Sequence, residues 1–301
     1  MTGVERMNRM YEGKMDGVPV SLFFSTEYMC MHSGVPDYRF LYGSNESRAQ
    51  AHIKLARRHG FDALYVWNRG KRNDWRADYQ LVEDGADVHI WDRKENRKLP
   101  LSEDYYAIDF PDTPPYRCPF IQYGESQEMI NGVPTYSKPK LEIHSIEDVD
   151  RLLPLETDEQ VKDGGMFDGV GMIHQEIGNN VFLEAACNSS FRFAVGVLGL
   201  QEGLMFMLEQ PGVFRYLLER TMEQELAYLR VMASHGVHSA WINDIWVDLI
   251  SESHYREFVM PITATFIEEA RKLGLKSHYY PSGKAGHLIP VVNELRPDAL
   301  H

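Results

Sequence analysis

Six short apolar runs recur along this chain, each followed by polar or ionisable residues and most by a stretch with helical spacing. That cadence limits the fold more than any other feature. "VPVSLFF" (Val18–Phe24) follows a "DG" turn signal and reads as a buried strand. In "NESRAQAHIKLARRHG", Ala49, Ile53, Leu55 and Ala56 recur at near-helical spacing, with Asn45 as the expected N-cap and Gly60 as the stop. "FDALYVWN" (Phe61–Asn68) is a second buried strand. Strand, helix and strand at this spacing form a βαβ unit, which requires parallel strands.

The cadence breaks between about residues 69 and 168. "ADYQLVEDGADVHIWDRKENRKLP" alternates around "EDGAD" and "RKENRK", the pattern of a surface pair of antiparallel hairpins. The stretch up to Pro139 is rich in Pro, Tyr and Asp, and "SIEDVDRLLP" reads as a short capped helix. The cadence then returns. "NVFLEAAC" is a strand, two helices are broken at "QPG", and "VHSAWINDIW" is a strand ending in acids. "SESHYREFVMPITATFIEEARKLG" is a helix capped by Ser251 and stopped at Gly274. The strand "LKSHYYPSG", the helix "AGHLIPVVNELR" and the strand "PDALH" complete the series. About six parallel strands separated by helices indicate a (β/α) barrel or a doubly wound sheet. A closed eight-stranded barrel needs two more βα units, so the last two strands are expected to be missing from this chain. Residues 1–301 are expected to form one domain, with the hairpins at 69–168 as a surface excursion.

Composition bounds the partners. With 301 residues, 44% of them hydrophobic, the chain can bury a large core. A formal charge of −13 repels phosphate backbones and argues against nucleic acid. No apolar run is long enough to span a membrane, and the N-terminus lacks a secretory h-region. Three widely spaced cysteines (Cys30, Cys118, Cys187) argue against a disulfide framework and for a cytoplasmic location.

In both candidate folds ligands bind at the C-terminal ends of the strands. Those ends carry Glu27, then Trp67 and Asn68, then Glu184 followed by Arg192. Next come Asn243, Asp244, Trp246 and Asp248, then His278, Tyr280 and Ser282, and finally His301. Glu184 lies in the apolar frame "FLEAAC", where an unpaired charge would be costly. A single buried histidine is more often hydrogen-bonded core than a metal ligand, and the other histidines are read that way.

The residues from His235 to Leu300 resemble the uroporphyrinogen decarboxylase superfamily, which includes corrinoid and coenzyme M methyltransferases. They share a strand ending in Asp, "S…Y.EF..P" on the next helix, and a closing "L.P….L.PDAL". "ERMNRMYEGKMDGVPV" is similar to the family's opening and "SIEDVDRL" to its inter-segment helix. The resemblance implies a TIM barrel with its site at the mouth. It also implies a zinc-binding His-x-Cys-Gly at the end of strand five, but Tyr280, Pro281, Ser282 and Gly283 stand at those positions. Tyr and Ser are not natural zinc ligands, which leaves His278 and His301 as the candidates if zinc binds. The decarboxylase's arginine-rich opening, suited to a substrate of many carboxylates, is missing after strand one.

The resemblance therefore implies a methyltransferase moving a methyl group from a small donor to a corrinoid protein or a thiol. Asp244, His278 and Tyr280 would do the acid–base work. Glu27, Trp67, Asn68, Glu184, Arg192, Trp246 and Ser282 would bind substrate. The corrinoid would come from a partner protein, and a homodimer is compatible with the sequence. The alternatives are a decarboxylase of a porphyrinogen or other acidic substrate, and a non-catalytic small-molecule-binding protein.

Overall fold

The protein is described by a computed structural model over residues 1–15, 17–22, 24–66, 70–85, 87–101, 127–130, 133–136 and 141–301. Sheet pairing begins with β1 (Ser21–Leu22) parallel to β2 (Ala63–Val66). The chain then leaves that sheet. β3 (Tyr79–Asp84), β4 (Asp87–Asp92) and β5 (Arg97–Pro100) form an antiparallel meander, turning at Gly85 and at 93–96. β6 (Gln127–Ile130) and β7 (Val133–Tyr136) form a separate hairpin. The chain returns as β8 (Phe182–Asn188), parallel to β2, and continues through β9 (Ser239–Asp244), β10 (Lys276–Pro281) and β11 (Ala299–Leu300).

The resulting order, β1-β2-β8-β9-β10-β11, follows the chain. A doubly wound sheet reverses its order at a switch point, whereas a (β/α) barrel adds strands sequentially. The fold is therefore of the TIM-barrel class, with six strands in the sheet among the described residues. The internal contacts fall into two compact units. One holds β1 to β5 with residues 158–186 and 230–240, and the other holds residues 141–157, 187–229 and 241–301.

In the first unit, helix α1 (Gly3–Tyr11) starts with a reciprocal capping box between Thr2 and Glu5. Its Arg6 reaches the Asp62 carboxylate at 2.9 Å, and the other carboxylate oxygen accepts the Val20 N–H at 2.9 Å. Asp62 thus ties α1, the approach to β1 and the start of β2 together. The expected long buried strand at Val18–Phe24 shrinks to two residues because of this tie. Val18 and Val20 are 82% and 48% exposed, since Val20 spends its backbone groups on Asp62. Asp62→Ala should therefore lower the unfolding free energy by about 2 kcal/mol, most of it from the stranded Val20 N–H. Urea denaturation checks this, and the half-exposed Arg6 should contribute little of the loss.

Helix α2 (Asn45–His59) ends at Gly60 in the left-handed conformation, as its sequence requires. Its cap is Ser44 rather than Asn45. Asn45 is buried, and its amide donates to the Gly165 carbonyl while accepting from Arg76. Those two bonds claim the side chain that a cap would have used. His52, on the buried side of α2, sits against the Arg48 carbonyl, and burial pushes its imidazole down to about 4.

In the second unit, Ser145 caps the helix Ile146–Leu152. Helix α3 (Ser190–Leu198) is capped by Ser189, and the helices Leu200–Glu209 and Pro211–Ser234 break at Gln210–Pro211. The helix after β9 begins at the Ser251 cap and widens into a π turn over Tyr255–Val259. It runs on as α4 (Met260–Lys272) and stops at Gly274. No single helix among the described residues is long and apolar enough to cross a membrane.

Candidate active site on β9 to β11

Side chains alternate faces along a strand, and in the second unit this alternation divides the predicted site residues into two groups. On one face Trp241 of β9 stacks on Tyr280 of β10, with centroids 5.5 Å apart and ring planes 18° apart. His301, just after β11, stands edge-on to both rings at 5.5 and 5.1 Å. His278 lies two residues before Tyr280 on the same face. Burial, with His301 nearby, pushes its imidazole down to about 4. It is therefore neutral near pH 7 and ill suited to the general-acid role expected of it. Asn243, two residues beyond Trp241, shares the alternation of this face.

Asp244 belongs to the other group. It is fully buried, and both carboxylate oxygens are used. Ser189 donates to Oδ1 in a short hydrogen bond, and the Tyr279 hydroxyl donates to Oδ2 at 2.5 Å. Tyr255, the first residue of the π turn, donates to the Tyr279 hydroxyl at 2.9 Å. Burial drives the Asp244 carboxyl up to about 6, against the pull of the two hydroxyls and the Arg192 guanidinium. The phenols of Tyr255 and Tyr279 are pushed above their usual range, chiefly by burial and next by Asp244. Arg192 donates to the Asn188 side chain. The structure thus keeps Asp244 and Arg192 together but separates Asp244 from His278 and Tyr280.

The turn beyond β9 is tightly specified. Trp246 adopts φ +71°, a left-handed conformation costly for a bulky residue. The Ser282 N–H bonds the Asp244 carbonyl at 3.1 Å. Gly283 follows at φ +84° and lies against the Asp248 carboxylate, which accepts the Lys284 N–H at 3.0 Å. A Cβ on Gly283 would fall 2.3 Å from that carboxylate, so a side chain here would displace Asp248 as well as strain the backbone.

Glu184 lies in the first unit. It is buried and accepts the Ser21 hydroxyl at 2.6 Å, and burial holds its carboxyl above the usual range. Glu27 falls on the helix Thr26–Ser33 rather than at a strand end, because the chain turns into that helix at the Ser25 cap. Trp67 and Asn68 lie outside the described residues. Among the described residues no three His, Cys, Asp or Glu side chains are grouped to hold a metal ion. Asp298, whose charge acts on His278, is bound to Lys276 and Ser277. Two imidazoles without a thiolate or a third grouped ligand among the described residues do not fit the set that zinc selects.

Trp241, Tyr279, Tyr255 and Ser189 escaped the sequence reading. The signal for the first two was present, since strict alternation through "SAWIND" and "SHYYP" separates Trp241 from Asp244 and Tyr279 from Tyr280. No local pattern announces Tyr255, which reaches Tyr279 from a separate helix through the π turn.

The family model of uroporphyrinogen decarboxylase (URO-D) matches residues 127–301, well over half of the chain. The chain belongs to the URO-D family. Curated relatives named uroporphyrinogen decarboxylase include one from Pelobacter propionicus, 25% identical over 174 residues, or 56% of this chain and 49% of the relative. Another, from Thermodesulfovibrio yellowstonii, is 30% identical over 145 residues, or 46% of this chain and 41% of that one. The chain thus spans half or less of the length of these relatives. A solved methyltransferase from Methanosarcina mazei matches all of this chain and 75% of its own, with a TM-score of 0.63 and 12% identity. At that identity the likeness concerns the fold. URO-D-family members include both decarboxylases and methyltransferases, and both are enzymes.

Proposed function

We propose that this URO-D-family protein is a cytoplasmic methyltransferase that moves a methyl group from a small donor, aromatic or of methylamine type, to a corrinoid protein or a thiol. The reading rests on one observation, the aromatic face of Trp241, Tyr280 and His301 with the neutral His278 beside them. Such a face favours a small apolar or methylammonium group through stacking and cation–π attraction. A substrate with many carboxylates would want guanidinium groups there. The cation sharing this alternation, Lys276, lies at the far end of β10 and is paired with Asp298. Tyr280 is the candidate proton donor to the leaving group. Asp244, on the opposite face, acts only through its neighbours. Cys30 and Cys187 are buried and not joined in a disulfide, which accords with a reducing compartment.

The test offers the purified protein a methylamine or an aryl methyl ether with a thiol acceptor, following formation of the methyl thioether by mass spectrometry, or with free cob(I)alamin, following growth of the cobalt–carbon absorbance. A parallel reaction offers uroporphyrinogen and measures released carbon dioxide. Methyl transfer that falls at least about tenfold in Trp241→Ala and Tyr280→Ala supports the proposal. Decarboxylation without methyl turnover would replace it with the decarboxylase reading, which has Arg192 as its one strand-end guanidinium.

A further inference from the structure

The Asp244 cluster joins four elements that its sequence leaves unconnected. Ser189 caps α3, accepting the Arg192 N–H at 3.0 Å, while its hydroxyl donates to Asp244. Asp244 ends β9, Tyr279 lies within β10, and Tyr255 opens the π turn. Asn243 and Tyr280, the immediate chain neighbours of Asp244 and Tyr279, point to the opposite face, where Tyr280 stacks on Trp241. Any slip at Asp244 or Tyr279 is therefore passed to that face through a single peptide unit.

The direction of the hydrogen bonds matters. As a carboxylate, Asp244 only accepts, and it receives from Ser189 and Tyr279, while Tyr279 receives from Tyr255. A proton on Asp244 turns one oxygen into a donor facing a hydroxyl that is already donating. Either Ser189 turns its hydroxyl away, or Tyr279 reverses and donates to Tyr255. The first change weakens the contact between α3 and β9; in the second the Asp244–Tyr279 bond persists with its direction reversed but without the carboxylate charge, which weakens the tie between β9 and β10.

We propose that Asp244 is a positioning residue for the aromatic face, holding Trp241 against Tyr280 while it is ionised and releasing that stacking when it takes up a proton. The charged and titratable groups facing it are Tyr279 from β10, Tyr255 from the π turn and Arg192 from α3. Both phenols stay protonated through neutral pH because burial and Asp244 raise them. Arg192 favours the ionised state.

The experiment is a pH titration of near-ultraviolet circular dichroism on the ligand-free protein from pH 4.5 to 8, with far-ultraviolet signal as the check on folding. Trp241→Phe assigns the Trp241 contribution. The expected result is a Trp241-dependent transition near pH 6 that vanishes in Asp244→Asn. In Tyr279→Phe and Ser189→Ala, each of which removes one donor to the carboxylate, the midpoint should rise by about one pH unit. If Asp244→Asn does not fold, those two variants carry the test. A transition that persists in Asp244→Asn, or a midpoint unmoved in both donor variants, arises from other groups and overturns the proposal, as does a flat signal. No substrate is present, so this test is independent of the methyl-transfer reading.

Discussion

Asp244→Ala is expected to lower the unfolding free energy by about 2–4 kcal/mol at pH 4.5, because the buried hydroxyls of Ser189 and Tyr279 each lose a hydrogen-bond partner at about 1–2 kcal/mol. The cost should shrink as pH rises. Asp244 has its folded value raised to about 6 from an ordinary 3.8. A raised carboxyl contributes stability that is complete below about 3.8 and is lost as pH rises through about 6. That displacement corresponds to about 3 kcal/mol. By neutral pH the wild type carries this desolvation penalty and the alanine variant does not. Urea denaturation of both proteins at several pH values between 4.5 and 7.5 reads the difference directly. A cost that grew with pH would show that the hydroxyls and Arg192 outweigh burial at this carboxylate.

The opposite slope is expected from His52 and His278. Burial lowers both to about 4, so each must stay neutral in the folded chain while it can charge in the unfolded one. Their contribution is complete above about 6.5 and is lost as pH falls through about 4, by about 3 kcal/mol each in the limit. His52→Gln, which cannot titrate, should therefore cost stability at pH 7 and have that cost cancelled or reversed by pH 4.5. Thermal or urea unfolding at the two pH values decides it, and a cost independent of pH would mean that His52 charges freely in the fold. On acidification His52, His238 and His278 weaken the fold, as do the carboxylates held below their usual range such as Asp92 and Asp298, whereas Asp244 strengthens it.

The strand–helix cadence made the fold legible because strand burial and helix capping are local properties. Gly60 and Gly274 stop their helices in the left-handed conformation that their positions demand, and Ser145 and Ser251 cap theirs. The hairpins β3 to β5 were equally visible, since their turns carry their own chemistry. What the sequence concealed depends on partners far along the chain. Asn45 has the composition of a cap, but Gly165 and Arg76 claim it. Val18 and Val20 look buried, yet Asp62 fixes the backbone there and leaves their side chains outside. The site was half legible. Strand ends located Asp244, His278 and Tyr280, but treating them as one cluster ignored that the last residue of β9 and the alternate residues of β10 face opposite ways. Resemblance led to the glycine at 283, and only the structure supplies its reason, a carboxylate where a Cβ would be.

The π turn at Tyr255–Val259 has a consequence in counting. A π turn holds one residue more than the α-helix needs for the same rise, so everything before it is rotated by about 100° relative to an uninterrupted helix. Deleting a single residue within the turn would let the helix run straight, and it would swing Tyr255 off Tyr279 without altering any side chain of the cluster. The hydroxyl chain into Asp244 is therefore written partly as a length, and its arrival or disappearance in a lineage would take one codon.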